Sequence, residues 1–205
     1  MFQRVMLKAY LIIIITEFDM RIITGKAKGI KLFTLDGLDT RPTSERSKEA
    51  IFSMLQFEIE GRVVLDLFAG SGQMGLEAVS RGAKRAYLVD RGRGAHDIIK
   101  KNIEKSRLSD GCTALCEDSL SFLKKQNGTE KFDIVFLDPP YATNLIDEAL
   151  GLLFDKQLLK ETSYIICESD RFDILGEMNY NRYEAVKTMR HGIAHISILK
   201  VREMV

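Results

Sequence analysis

The chain is poor in the residues that mark secreted, metal-held or membrane-spanning proteins. It has three cysteines, Cys112, Cys116 and Cys167, each in apolar, strand-like surroundings. That is too few for a disulfide framework and points to a reducing compartment, with all three read as core residues. Cys112 and Cys116 stand four apart with no histidine near them, so a zinc site is not expected. The three histidines, His96, His191 and His195, are read as packing or surface groups without a catalytic role. The apolar run at 9–15 is seven residues long, far short of the roughly 20 that a membrane span needs. Thr16-Glu17-Phe18-Asp19 after it offers no small-residue cleavage site of the signal-peptide kind. There is no internal repeat, low-complexity tract or linker.

What remains is the composition of a globular α/β protein. Hydrophobic residues make up 45% of the 205 and charged residues 29%, enough for one domain with a small appendage. The net charge of +1 conceals a polarity along the chain. Residues 20–48 carry seven Lys/Arg against three acids, and residues 81–107 nine against three. Residues 108–170 carry five against twelve. The basic segments suit a polyanion, although either alone also reads as a solvated helix face.

The most informative stretch is Val63-Val64-Leu65-Asp66-Leu67-Phe68-Ala69-Gly70-Ser71-Gly72-Gln73-Met74-Gly75. A β-branched run ends in an acid, a glycine turn follows, and a helix-compatible segment reaches Arg81. This is the strand, turn and helix that opens a nucleotide-binding α/β sheet. Strands are expected at 85–90, 113–118, 132–137 and 164–168, alternating with helices at 94–107, 119–126 and 145–154. Two further β runs, 180–188 and 193–200, close the chain as an antiparallel hairpin. Alternating βα units imply a mostly parallel sheet with helices on both faces.

Upstream, residues 1–19 read as an extra edge strand or as sequence preceding a start at Met20. Residues 21–25 and 29–33 read as two short strands joined by a turn holding Lys26 and Lys28. Thr43 or Ser44 is expected to cap a helix through Ile51, Phe52, Met54 and Leu55. The resulting division is 1–19, an extension; 20–60, hairpin and helix; 61–205, the sheet domain.

Ligands of open α/β sheets lie at the carboxyl ends of the strands. Asp66, Asp90, Asp118 and Asp138 each fall at such an end. An acid after the second strand suits the vicinal hydroxyls of a ribose, and one after the third an adenine amino group. The alternative is that strand-end acids cap turns and helices. Gly70-Ser71-Gly72-Gln73-Met74-Gly75 also fits the dinucleotide fingerprint, so a nicotinamide- or flavin-dependent oxidoreductase is a rival. Asp138-Pro139-Pro140-Tyr141 separates the two. The prolines leave no amide hydrogen at 139 or 140. Their carbonyls and the Asp138 carboxylate suit the N–H groups of an exocyclic amine, and Tyr141 suits stacking on a planar base.

Together, Asp66-Leu67-Phe68-Ala69-Gly70-Ser71-Gly72 and Asp138-Pro139-Pro140-Tyr141 resemble the S-adenosylmethionine-dependent amino-methyltransferases. Met20-Arg21-Ile22-Ile23-Thr24-Gly25, Thr40-Arg41-Pro42-Thr43, Gly75-Leu76-Glu77-Ala78 and Ser80-Arg81-Gly82-Ala83 narrow the resemblance to the RsmD family of bacterial 16S ribosomal RNA guanine-N2 methyltransferases. The resemblance covers residue 20 to about 200. It implies a Rossmann-like class I methyltransferase fold with a seven-stranded sheet and a small amino-terminal β-hairpin. It further implies a cytoplasmic, monomeric enzyme whose partner is 16S rRNA within the small subunit, with guanine 966 as its target. The implied catalytic residues are Asp138, Pro139, Pro140 and Tyr141. The implied S-adenosylmethionine contacts are Arg41, Asp66, Phe68, Ala69, Gly70, Ser71, Gly72, Asp90, Arg91, Asp118 and Ser119. The basic turn with Lys26 and Lys28, Arg41, Arg46 and the 91–107 helix are expected to hold RNA phosphates. Rivals within this chemistry are a DNA adenine-N6 or other amino-methyltransferase; outside it stands a non-catalytic RNA-binding module. Arg91-Gly92-Arg93-Gly94 departs from a regular helix start, which suggests a looser pocket edge.

Overall fold

The computed structural model describes residues 20–34, 45–140, 144–175, 179 and 181–202, and the backbone but not the side chain of His191. The expected edge strand within 1–19, the Arg41 and Thr43/Ser44 readings, and the Tyr141 reading lie outside these residues.

Among the described residues the elements run α1 (Glu45–Met54), β1 (Val63–Asp66), α2 (Gln73–Ser80), β2 (Arg85–Asp90), α3 (Arg93–Ser106), β3 (Cys112–Cys116), α4 (Ser119–Lys125), β4 (Phe132–Leu137), α5 (Leu145–Asp155), β5 (Leu159–Ser169), β6 (Tyr183–His191) and β7 (Ala194–Val201). They form a seven-stranded sheet in the order β3-β2-β1-β4-β5-β7-β6. β1 to β5 are parallel, and β7 joins antiparallel to both β5 and β6. This is the expected architecture, closed by its carboxyl-terminal hairpin.

The sheet is central because its strands bury both faces. In β4 all six residues are buried, and successive side chains point to opposite sides. Val64, Ile134, Phe136, Ile166 and Ile198 contribute to one core, together with α1, α2 and α3. Leu65, Val135, Leu137, Ile165 and Leu199 contribute to the other, under α4 and α5. The helices answer with matching stripes. In α5 the buried residues are Ile146, Ala149, Leu150 and Leu153, one face of a 3.6-residue repeat. No helix among the described residues is long and apolar enough to cross a membrane.

Three local readings are corrected. β5 begins at Leu159, five residues before the expected strand, because the polar run 160–163 is held as a bulge. There the Ser163 hydroxyl accepts from Lys160 N at 2.8 Å and donates to Phe132 O at 2.7 Å. Lys160 also pairs with buried Asp133 at 2.8 Å. Residues 21–33 are not two strands but a turn with one antiparallel bridge, Arg21 to Lys31. Ile22 N donates to Ile30 O at 3.0 Å, Gly29 N to Ile22 O at 2.7 Å and Leu32 N to Met20 O at 2.7 Å, but the ladder extends no further because other amides turn to α2: Ile23 N and Thr24 N donate to the Glu77 carboxylate, and Lys26 N and Ala27 N donate to Ser80. Finally, Cys167 is buried and Cys112 half-buried as core residues would be, but Cys116 is exposed.

That amino-terminal turn is therefore fastened to α2 through buried polar groups. Glu77 is fully buried and receives Ile23 N at 2.7 Å, Thr24 N at 3.0 Å and Arg81 Nε at 2.7 Å. Lys48, 1% exposed, lies 3.9 Å from Glu77 and donates to Arg21 O at 2.5 Å. Burial lowers the Lys48 pKa although Glu77 favours its charged form. An isolated buried carboxylate would cost several kcal/mol in lost hydration, and the charged donors and two amides around Glu77 offset that cost.

Candidate active site at the carboxyl edge of the sheet

The strand order converts four acids that are distant in sequence into one row. At the carboxyl edge they come in the order Asp118, Asp90, Asp66 and Asp138, following β3, β2, β1 and β4. Neighbouring strands lie about 4.8 Å apart, so the row spans about 14 Å, the length of a nucleoside with a side arm. β1 and β4 are direct neighbours, with Asp66 opposite Phe136 and Leu67 N donating to Phe136 O at 3.2 Å. The glycine turn and the Asp-Pro-Pro loop thus leave adjacent strands on the same side.

The turn after β1 is tightly specified. Ala69 N donates to Val89 O at 3.0 Å and Gly72 N to Ala69 O at 2.6 Å. Its two glycines serve different ends. A Cβ on Gly72 would sit 2.7 Å from Leu88 Cδ2, so this residue lets the turn pack on β2. Gly70 has φ +54°, and a Cβ there would meet nothing within 4 Å. Its backbone therefore borders open space in a conformation that favours glycine. Phe68 packs half-buried against the second core, and Ser71 is half-buried above the first turn of α2.

The four acids are not equivalent. Asp66 is 4% exposed and turned inward, accepting from Gly75 N at 3.0 Å. Burial, reinforced by the charge of Asp90, pushes its pKa up to about 7 against the Gly75 hydrogen bond. Its place is that of a brace between β1 and α2. Asp90 is half-exposed and spans the rim of the turn: Oδ2 accepts from Gly70 N at 2.9 Å and Oδ1 from Gly92 N at 2.8 Å. The Arg91-Gly92-Arg93-Gly94 stretch is consequently not loose, because Gly92 is the N-cap of α3 and Asp90 holds its amide. Arg91 is exposed beside Asp90. Asp118 is exposed and caps α4, accepting from Ser121 N at 2.9 Å, which lowers its pKa. The adjacent Ser119 hydroxyl is buried and donates to Leu67 O at 2.6 Å, tying α4 to the root of the glycine turn. Asp138 and Pro140 are exposed and Pro139 buried between them.

Sequence reasoning missed Asn102. It lies on the buried stripe of α3 with Ala95, Ile99, Ile103 and Ser106, and is itself fully buried. Its Oδ1 accepts from Phe33 N at 2.7 Å, and its Nδ2 donates to Phe33 O at 3.0 Å and Ser71 O at 2.9 Å. An asparagine at an apolar position of an amphipathic helix was the available signal. Among the described residues no group of three His, Cys, Asp or Glu is placed to hold a metal.

Comparison with known proteins agrees with this geometry. The family model Cons_hypoth95, described as conserved hypothetical protein 95, matches residues 20–200. Ribosomal RNA small subunit methyltransferase D of Haemophilus influenzae is 37% identical over 154 residues, covering 75% of this chain and 80% of the relative. The protein of the same name in Escherichia coli K12 is 37% identical over 152 residues, covering 74% and 75%. The solved structure of the Escherichia coli protein yhhF superposes with a TM-score of 0.78 at 30% identity, covering 90% of this chain and 99% of that one. With a family model spanning nearly the whole chain and relatives above 30% identity over most of their length, the chain belongs to the Cons_hypoth95, or RsmD, family.

Proposed function

We propose that this chain is an S-adenosylmethionine-dependent methyltransferase that acts, as a monomer in the cytoplasm, on the exocyclic N2 of a guanine in small-subunit ribosomal RNA. The observation that carries the reading is the β1–β4 register. It sets a glycine turn with an open rim beside a loop, Asp138-Pro139-Pro140, built from hydrogen-bond acceptors. The names of the relatives support methylation of ribosomal RNA.

The residues present fit this cofactor. Gly70 borders open space where a larger residue would intrude, and the Asp90 carboxylate stands next to it. Asp90 keeps lone pairs beyond its two amide contacts and suits ribose hydroxyls. Phe68, Ala69, Ser71, Gly72 and Arg91 form the turn and its rim. Asp118 and Ser119 suit the base end of the row, and Asp66 holds the turn from beneath. Arg41, which belongs to the set by resemblance, completes the list.

When bound, S-adenosylmethionine supplies a methyl on a sulfonium, an electrophile for in-line attack by an amine. The chain's part is to hold that amine. The guanine N2 lone pair is delocalised into the ring, which makes it a weak nucleophile. The Asp138 carboxylate and the Pro139 carbonyl each accept one of its N–H bonds, favouring a more pyramidal nitrogen with a freer lone pair. Neither residue 139 nor 140 has an N–H that would compete for it. Positioning supplies most of the rate, and the Asp138 charge favours positive charge developing on nitrogen. After transfer the nitrogen is strongly acidic, and its proton passes to the Asp138 carboxylate or to water. Tyr141 stacks on the base once it leaves its own stack.

The test is incubation with methyl-labelled S-adenosylmethionine and, separately, small ribosomal subunits, naked 16S rRNA and DNA. Recovery of N2-methylguanine from ribosomal RNA supports the reading. Label in adenine of DNA, or in no nucleic acid, overturns it.

A further inference from the structure

The amino-terminal turn is linked to the glycine turn at both of its ends, directly through Met20 and by way of Asn102 from Phe33, and both links converge on Ser71. At one end the Ser71 hydroxyl donates to Met20 Sδ at 3.0 Å. At the other, buried Asn102 holds Phe33 through its N–H and its carbonyl and passes its remaining N–H to Ser71 O at 2.9 Å. All of the side-chain amide's donors are used, and they bind two segments far apart in sequence. A residue serving only α3 would have no need of Ser71. A residue serving only Phe33 would have no need of the third bond. Between the two ends, the turn 20–33 exposes Arg21, Lys26, Lys28 and Lys31. Phe33 continues outward, with Lys105 of α3 lying 4.2 Å over its ring.

We propose that Asn102 is a positioning residue that couples the basic amino-terminal segment to the cofactor turn, so that RNA engagement and cofactor binding strengthen one another. The inference rests on the methyltransferase reading above and adds to it a linkage between two sites. RNA phosphates bound along residues 20–34 further stabilise the Phe33 end of the segment, hence its bonds to Asn102, hence the Ser71 carbonyl and the turn beside Gly70. A ligand that orders the glycine turn acts along the same bonds in reverse. Linkage of this kind is reciprocal: the factor by which RNA tightens the cofactor equals the factor by which the cofactor tightens RNA.

The experiment measures the dissociation constant of S-adenosylhomocysteine for the full chain, with and without saturating unmethylated small ribosomal subunits. The wild type is expected to bind it about fivefold or more tightly in their presence. Asn102→Ala is expected to bring that ratio to about one, while binding in the absence of subunits weakens by a smaller factor. A merely structural role would lower thermal stability and leave the ratio as in the wild type. Should Asn102→Ala not fold, Met20→Ala is used, which cuts the sulfur contact and leaves each buried hydrogen bond of Asn102 in place. It is expected to reduce the ratio about twofold. A wild-type ratio of one, or an unchanged ratio in the variant that folds, overturns the coupling. Failure of the wild type to bind S-adenosylhomocysteine or subunits at all is a different result, which overturns the methyltransferase reading beneath it.

Discussion

A Cβ on Gly25 would lie 1.8 Å from the carbonyl oxygen of Ser80, and 2.3 Å from its carbonyl carbon. The backbone of the amino-terminal turn rests directly on the last turn of α2, with Gly25 at φ +87°. The neighbouring Lys26 N donates to that same Ser80 oxygen at 2.8 Å, so the contact cannot slide without breaking a hydrogen bond. Gly25→Ala thus combines a strained backbone with a collision against main chain, which no rotamer change relieves. A loss of about 2–4 kcal/mol is expected in urea unfolding, accompanied by faster amide exchange at Ile23 and Thr24. A variant as stable as the wild type would mean that the turn is not seated on α2.

The buried Asp66 makes stability pH-dependent in a sign that can be worked out. Its pKa is about 7 in the folded protein, against about 3.9 for a free aspartate. The folded state therefore retains a proton that the unfolded state has lost. The stability contributed by this group is fully present below about pH 4 and is lost as pH rises through about 7. The full change is on the order of 4 kcal/mol. Asp66→Asn keeps an oxygen for Gly75 N and cannot ionise. Its unfolding free energy is expected to exceed that of the wild type at pH 8 and to converge with it near pH 4. Denaturant titrations at several pH values check this. Parallel pH profiles for the two proteins would show that Asp66 does not titrate there.

Asp90 holds Gly70 N and Gly92 N, and by the proposed function also meets the cofactor ribose. Asp90→Ala is expected to weaken S-adenosylhomocysteine about 30-fold by calorimetry, from the loss of charge-assisted hydrogen bonds together with slackening of the turn. Because α3 starts at Arg93 and is packed through Ala95, Ile99 and Ile103, the variant should keep its fold. Undiminished affinity would remove Asp90 from the ligand.

What could be read from the residues follows from range. The parallel strands, their helices and the closing hairpin were legible because β-branched runs, glycine turns and apolar stripes act within a few positions. The row of acids was legible too, since strand ends in an open sheet share one edge. Three features were not, each for a physical reason. The 21–25 and 29–33 segments do pair, through Ile22 N to Ile30 O and Gly29 N to Ile22 O, but the ladder stops there because Ile23 N and Thr24 N turn to Glu77, about fifty positions away. Asp66 has the same local signature as Asp90, yet points inward toward Gly75 instead of toward the edge. Asn102 sits in a helix whose visible character is basic, and its two partners lie 31 and 69 positions away. Glu77 and Ser80 belonged to the stretch that carried the family resemblance, but only the folded chain shows that they fasten the amino-terminal turn.

In the proposed function Asp138 grips the amine that receives the methyl group, which single-turnover methyl transfer by Asp138→Ala, measured beside its affinity for S-adenosylhomocysteine, puts to the test. The methyl-transfer rate is expected to fall about 10²–10⁴-fold, with affinity for S-adenosylhomocysteine within a few fold of the wild type. A variant that keeps most of its methyl-transfer rate would contradict that role.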